Sequence, residues 1–306
     1  MLTAAARPQW PAAVSPLVVD AVTGPVREAR VLGAFPTCVY LDLGTHDAVL
    51  ALLARDALQQ PIGLRLGASS AQIRWRVEPG VTVGVGAGRV RLPGADVVVA
   101  RMHRPARVTS LPPHDRVSRV AAHAPHPGGG PLAELAHDLA AAALAGRSVA
   151  PHLRGLIGAG TGLTPSGDDA VAGVLLTLRS VGELDAVDLL ATDLPPLLPS
   201  TTSISAALLR AAAEGYAVPE VVTLIDLLAE QTEPTDYHEL TLHAGPSTSQ
   251  PVRSSSLQSI GPAVAQVIAI GHSSGRDLLS GVTGAHRALA EFPIPYATTQ
   301  EGVLHG

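Results

Sequence analysis

The chain has 306 residues, 46% of them hydrophobic and 15% charged, with a formal net charge of −5. That composition excludes a disordered protein, and the length allows two domains, each with its own core. All 21 basic residues are arginine, which excludes a Walker lysine, a Schiff base to pyridoxal phosphate and a lysine general base; with no basic block, nucleic acid is excluded as an expected partner.

Cys38 is the single cysteine, so intrachain disulfides and cysteine-rich zinc or iron–sulfur sites are out, in keeping with a reducing compartment. No signal peptide is read in the opening MLTAAARPQWPAAVSP, and no run of roughly eighteen apolar residues predicts a membrane span. The expectation is a cytoplasmic protein without a membrane anchor. A surface so poor in charge predicts burial against a second copy or within a complex.

From Leu17 to about Ala100, short segments rich in Val and Leu alternate with Gly, Pro and Asp. Strands are predicted at Val26 to Leu32, Thr37 to Leu43, His46 to Leu53, Ile73 to Val77, Val81 to Val85, Val90 to Leu92 and Asp96 to Val99. Their shortness and β-branching favour antiparallel strands or a small barrel over βαβ units. Pro125, Pro127 and the triple glycine Gly128 to Gly130 then read as a hinge. Beyond it, helical spacing runs through Ala133 to Arg147, Asp168 to Arg179, Thr202 to Gly215, Pro219 to Glu230, Gly261 to Ile270 and Gly275 to Leu289. The expected fold class is α+β: a β-rich, barrel-like domain over 1–121, a linker over 122–130 and a mostly helical domain over 131–306.

The densest concentration of chemistry is GAGTGLTPSGDD, Gly158 to Asp169. Its glycines permit sharp turns, and Thr164, Pro165 and Ser166 read as the start of a helix whose free N–H groups attract an anion. Gly160, Thr161, Gly162, Thr164, Ser166 and Gly167 are candidate ligand-binding positions. Asp168 and Asp169 are candidate catalytic residues, and the sequence leaves open whether they face a magnesium ion or an amide. GAGTG lacks the Gly-x-Gly-x-x-Gly pattern of a dinucleotide site.

A second segment echoes the first: Ser274 to Val282 lies over Ser166 to Val174 with Ser, Gly, Asp, Gly and Val in register. Duplication and convergent capping both account for so short a match. Ser166 with Asp169, and Ser274 with Asp277, have the spacing of a capping box. Just upstream, Gly271-His272-Ser273-Ser274-Gly275 matches the nucleophile-elbow pattern, but too little chain follows for the other catalytic elements. His272, Ser273, Ser274, Gly275, Arg276 and Asp277 are read instead as lining the same pocket, with His272 a catalytic candidate and Arg276 an oxyanion fork. Thr201 and Thr202 precede another helix as cap and candidate anion ligands. His238 and His243 are spaced one residue beyond the His-x-x-x-His zinc pattern.

The combination of GAGTGLTPSGDD, TTSISAALLRAAAEG from Thr201 and GHSSGRDLLSGVTG from Gly271 resembles a family that includes the AllH subunit linked to oxamate carbamoyltransferase in bacterial allantoin degradation. The resemblance is close over the helical half and looser over the β-rich half. It implies a transferase component acting on carbamoyl phosphate and oxamate, oxalurate or a related small anion in purine catabolism, together with companion subunits. Two other readings stand beside it: a metal-dependent phosphotransferase, and a noncatalytic metabolite-binding subunit of a larger complex.

Overall fold

The computed structural model describes residues 7–44, 49–110, 130–230 and 253–292. Most of the expected hinge at 122–130, the His238 and His243 pair, and residues 46–48 of one expected strand lie outside them. Among the described residues eight strands form a closed barrel in the order β1-β5-β4-β3-β2-β6-β7-β8. They are β1 (Gln9–Val14), β2 (Arg27–Ala34), β3 (Cys38–Asp42), β4 (Val49–Leu53), β5 (Gly63–Leu66), β6 (Thr82–Gly86), β7 (Arg89–Arg91) and β8 (Asp96–Met102). Neighbours are antiparallel except β4 with β5 and β1 with β8, the parallel pair that closes the barrel. A short helix, α1 (Val19–Thr23), links β1 to β2.

Two strands were not expected. β1 carries a proline and β5 has only four residues, so neither shows the β-branched run that marks a strand locally. Ile73 to Val77 fails in the opposite direction. Its burial alternates, with Ile73, Trp75 and Val77 all under 10% exposed, yet it joins no ladder. Arg76 sits at φ 51°, which breaks the extended geometry a ladder needs. The segment is pinned by side chains instead: Trp75 donates its indole N–H to the Pro36 carbonyl at 3.1 Å and meets Trp10 edge-on, ring centroids 6.0 Å apart.

The helical part comprises α2 (Pro131–Leu144), α3 (Ala150–Leu156), α4 (Ser166–Ser180), α5 (Leu184–Asp193), a 3₁₀ turn at Pro195–Ser200, α6 (Ser203–Ala213), α7 (Pro219–Glu230), α8 (Arg253–Ile268) and α9 (Ser274–Glu291). α3 and α5 were not anticipated; α3 is a short segment with a proline at its start. α4 is buried nearly all round and packs against α2, α3, α5, α6, α7 and α9, the position expected of a helix apolar on every face.

The sequence echo corresponds to repeated geometry. In the first unit Gly167 donates to Ala159, Ala159 donates to Leu156, and Gly167 abuts the Leu156 carbonyl. In the second, Gly275 donates to Ile270, Ile270 donates to Val267, and Gly275 abuts the Val267 carbonyl. The two helices then exchange contacts: Gly173 of α4 lies against the Leu278 carbonyl of α9, and Gly281 of α9 against the Ala170 carbonyl of α4. Under the sequence register Ala170 answers to Leu278 and Gly173 to Gly281, so the crossing is a local pseudo-twofold. Capping boxes do not account for it. Pro165 and Ser273 occupy the N-cap positions without side-chain cap bonds, and Ser166 and Ser274 are already the first helical residues.

Barrel and helices meet along α6. Ile204, Ala207 and Ala211 belong to the barrel's apolar cluster, and Leu209 and Ala212 to that of the helices. This explains why β4 is buried at every position: α6 packs against this strand, which would otherwise turn one face to water. A second seam follows β8, where Val108 donates to the Gly215 carbonyl at 2.9 Å and the Arg107 guanidinium lies 5.2 Å from the centre of the Tyr216 ring.

Candidate functional site

The glycines of the loop between α3 and α4 take conformations that side chains resist: Gly158, Gly160 and Gly162 lie at φ 77°, 126° and 96°. This sharp path returns the chain onto the α4 start, where Gly160 crowds the Ser166 amide. Asp168, only 1% exposed, then holds the loop in place. Its carboxylate accepts the Gly158 N–H at 2.8 Å, the Ser205 hydroxyl at 2.7 Å and the Thr201 hydroxyl. Thr202 caps α6, accepting the Ser205 N–H at 3.0 Å while donating to the Leu163 carbonyl at 2.5 Å. On the other side the Thr164 and Ser274 hydroxyls bond at 2.8 Å. The starts of α4, α6 and α9 therefore converge on one loop.

Beneath this junction a cavity of about 530 Å³ opens between barrel and helices. Thr164, Asp169, Ser274 and Gly275 line it from the helical side, with Tyr40 and Gln60 from the barrel, and most of the remaining wall is aliphatic. Among the described lining residues there is no arginine and no histidine. Burial pushes the Asp169 carboxyl up to about 7, against hydrogen bonds from Ser274 and Thr164 that hold it down, and the Asp277 and Asp168 charges add to the rise. Its Oδ2 is covered from water and has no hydrogen-bond partner; the Asp277 Oδ2 shares that condition. Burial also raises the Cys38 thiol and, beside it, the Tyr40 phenol.

The candidates thus separate by position. Thr164, Asp169, Ser274 and Gly275 reach the cavity. Asp168, Thr201 and Thr202 brace the loop. Gly160, Thr161, Gly162, His272, Ser273 and Arg276 are exposed, and Ser166 and Asp277 are half-buried at the two helix starts, with Gly167 packed beneath the first. Ser205 and the barrel pair Tyr40 and Gln60 were not anticipated. Ser205 had a detectable signal, a hydroxyl in the first turn after Thr202; nothing local marks Gln60. Among the described residues no group of three or more His, Cys, Asp or Glu is placed to hold a metal ion.

An α+β protein with a ligand-sized cavity between a closed barrel and a helical bundle is the class these features define. Residues 156–249 match the family model described as oxamate carbamoyltransferase subunit AllH. The matched stretch takes in the glycine-rich loop, α4 and the Thr201–Thr202 cap, and stops short of the α9 start. No curated protein and no solved structure matches the chain. Among the described residues no helix is long and apolar enough to cross a membrane.

Proposed function

We propose that the chain is a subunit of a cytoplasmic carbamoyltransferase-type assembly, and that it binds a small carbamoyl- or amide-bearing anion where the starts of α4, α6 and α9 meet. The observation that carries this reading is Asp169, which lies inside the segment that matches the AllH family: a half-buried residue lining the cavity, whose carboxyl burial pushes up to about 7. A carboxyl so placed accepts hydrogen bonds from an NH₂ group and takes up a proton near neutral pH. When a carbamoyl group passes from carbamoyl phosphate to an amide nitrogen, a C–N bond forms at the carbamoyl carbon and the C–O bond breaks. Phosphate leaves with the electron pair, and the proton lost by nitrogen needs an acceptor, which is the role assigned to Asp169.

Thr164 and Ser274 are the hydroxyls that bond that carboxyl, and Asp168 with Thr201 and Thr202 positions the loop. We assign the exposed Gly160, Thr161, Gly162, His272, Ser273 and Arg276 to the rim, with Arg276 as a cation offered to an anionic end. The lack of a cation among the described lining residues also favours a second reading, a metabolite-binding subunit whose companion chain carries the phosphate site. Magnesium finds weaker support: the Asp168 oxygens are taken by three protein donors, leaving at these helix starts one unpartnered oxygen each on Asp169 and Asp277.

Thermal shift and calorimetry with carbamoyl phosphate, oxamate, oxalurate and ATP, each with and without Mg²⁺, test the reading. Binding by the first three is expected, with turnover on adding companion subunits. Binding of ATP with Mg²⁺ and none by the carbamoyl compounds would replace it with a phosphotransferase.

A further inference from the structure

The cavity of about 530 Å³ is larger than oxamate needs and lies in the range of pockets that enclose far bulkier molecules. Two helices give it a direction. α4 and α6 run side by side in the same sense: near their starts Asp168 accepts the Ser205 hydroxyl at 2.7 Å, and at their ends Arg179 donates to the Ala213 carbonyl at 3.0 Å. Asp169, Ala172 and Leu176 on α4, and Ile204, Leu208 and Ala212 on α6, line the cavity at helical spacing. At 1.5 Å per residue each row spans about 10 Å. Tyr216 and Ala217, just past α6, continue the lining.

Polarity changes along this path. On the helical side the polar groups, Thr164, Asp169 and Ser274, stand where α4 and α9 begin. Leu163 and Gly271, close by in the chain, line the cavity and are also exposed, so this end meets water. Further along, Ala172, Leu176, Leu208 and Ala212 present only hydrocarbon. The barrel adds Leu53 and Leu58, together with Tyr40 and Gln60, which bond each other at 2.6 Å.

A charge carried that far in would be desolvated, with no arginine or histidine among the described lining residues to pair with it. Hydrocarbon suits the aliphatic wall, because its transfer out of water is favourable. An anionic head held at the exposed end keeps its hydration. We infer that the anion recognised at the helix starts is amphiphilic: a carbamoyl- or amide-bearing anion whose uncharged hydrocarbon arm lies along α4 and α6 toward Tyr216. The head rests on the proposed function. The arm is the addition, and it makes Leu176, Leu208 and Ala212 specificity-determining residues.

The test is calorimetry on the full chain with oxamate, with two series that attach the arm differently, and with 1-octanol as the arm alone. The series are N-alkyloxamates and 2-alkylmalonamates carrying ethyl, butyl, hexyl and octyl groups. In at least one series affinity should rise about tenfold for each two methylene groups added. Ala217→Phe, at the far end, should remove the gain from hexyl to octyl and leave the ethyl member bound as before, which also shows the variant to be folded. Leu208→Trp should flatten the same series at a shorter arm. Affinity that does not rise with arm length in either series, or a rise that both variants leave intact, would overturn the arm. Oxamate and octanol keep the two conclusions apart. Oxamate bound beside two flat series leaves the carbamoyl site standing and removes the arm. A rising series without oxamate binding supports the arm and removes only oxamate as the ligand. Octyl members bound no tighter than 1-octanol would remove the anion site and the amphiphile with it.

Discussion

Gly173 and Gly281 occupy equivalent places on two crossing helices, each pressed against a backbone carbonyl of the other helix, Gly173 on Leu278 and Gly281 on Ala170. Alanine at either position would gain up to about 1 kcal/mol of helix propensity. Its methyl would meet a carbonyl that moves only with its helix, and overpacking of that kind costs about 1–3 kcal/mol. Gly173→Ala and Gly281→Ala are each expected to lower stability in urea denaturation. The double variant should cost less than the sum, because one separation of the helices relieves both clashes.

Asp168 is the strut of the glycine-rich loop. Asp168→Ala removes the acceptor for Gly158, Thr201 and Ser205 at a buried position, and a loss of about 3 kcal/mol is expected for that many bonds to a charged group. Amide hydrogen exchange at Gly158 should accelerate more than exchange in the middle of α4. Equal acceleration at both would point to global destabilisation and deny the loop-specific role.

Asp169 makes stability depend on pH in the direction opposite to an ion-paired carboxylate. Its folded pKa, about 7, stands above the ordinary 3.8, so the folded state binds the proton more tightly. The stability this gives is complete below pH 3.8, falls as pH rises toward 7 and is flat above. Asp169→Asn is therefore expected to be more stable than the parent at pH 8, by about 2 kcal/mol after the lost hydroxyl bonds are counted, with the gap narrowing toward pH 5. Melting temperatures across pH 5 to 8 that run parallel for the two proteins would contradict this.

Trp75 anchors a segment that has no ladder to hold it. Trp75→Phe keeps the edge-on contact with Trp10 but leaves the Pro36 carbonyl without its donor. A loss of about 1–2 kcal/mol is expected from denaturant unfolding.

Where a residue's neighbours in the chain set its conformation, the sequence was readable. The Thr202 cap, the α7 boundaries at Pro219 and Glu230, and most barrel strands follow from hydroxyl placement, proline and β-branching. The segment at Ile73 to Val77 shows the limit. It has a strand's alternation, and only the left-handed turn at Arg76 and the docking of Trp75 keep it out of the sheet. β5 shows the converse: four residues become a strand because β1 and β4 lie on either side to supply its hydrogen bonds.

By itself the sequence determined the α+β class, the exclusion of lysine chemistry, the glycine-, hydroxyl- and acid-rich segment Gly158 to Asp169 and its echo at Ser274, because composition and short-range pattern are properties of the chain. Only the tertiary structure decided that the two adjacent aspartates part company. Their side chains leave α4 in different directions, so Asp168 turns inward to Gly158 and Ser205 while Asp169 lines the cavity. It also brought Gln60 of the barrel to that same cavity. Hydrogen bonds and burial between residues distant in sequence fix both outcomes, and no local pattern encodes which face of the helix will meet the barrel.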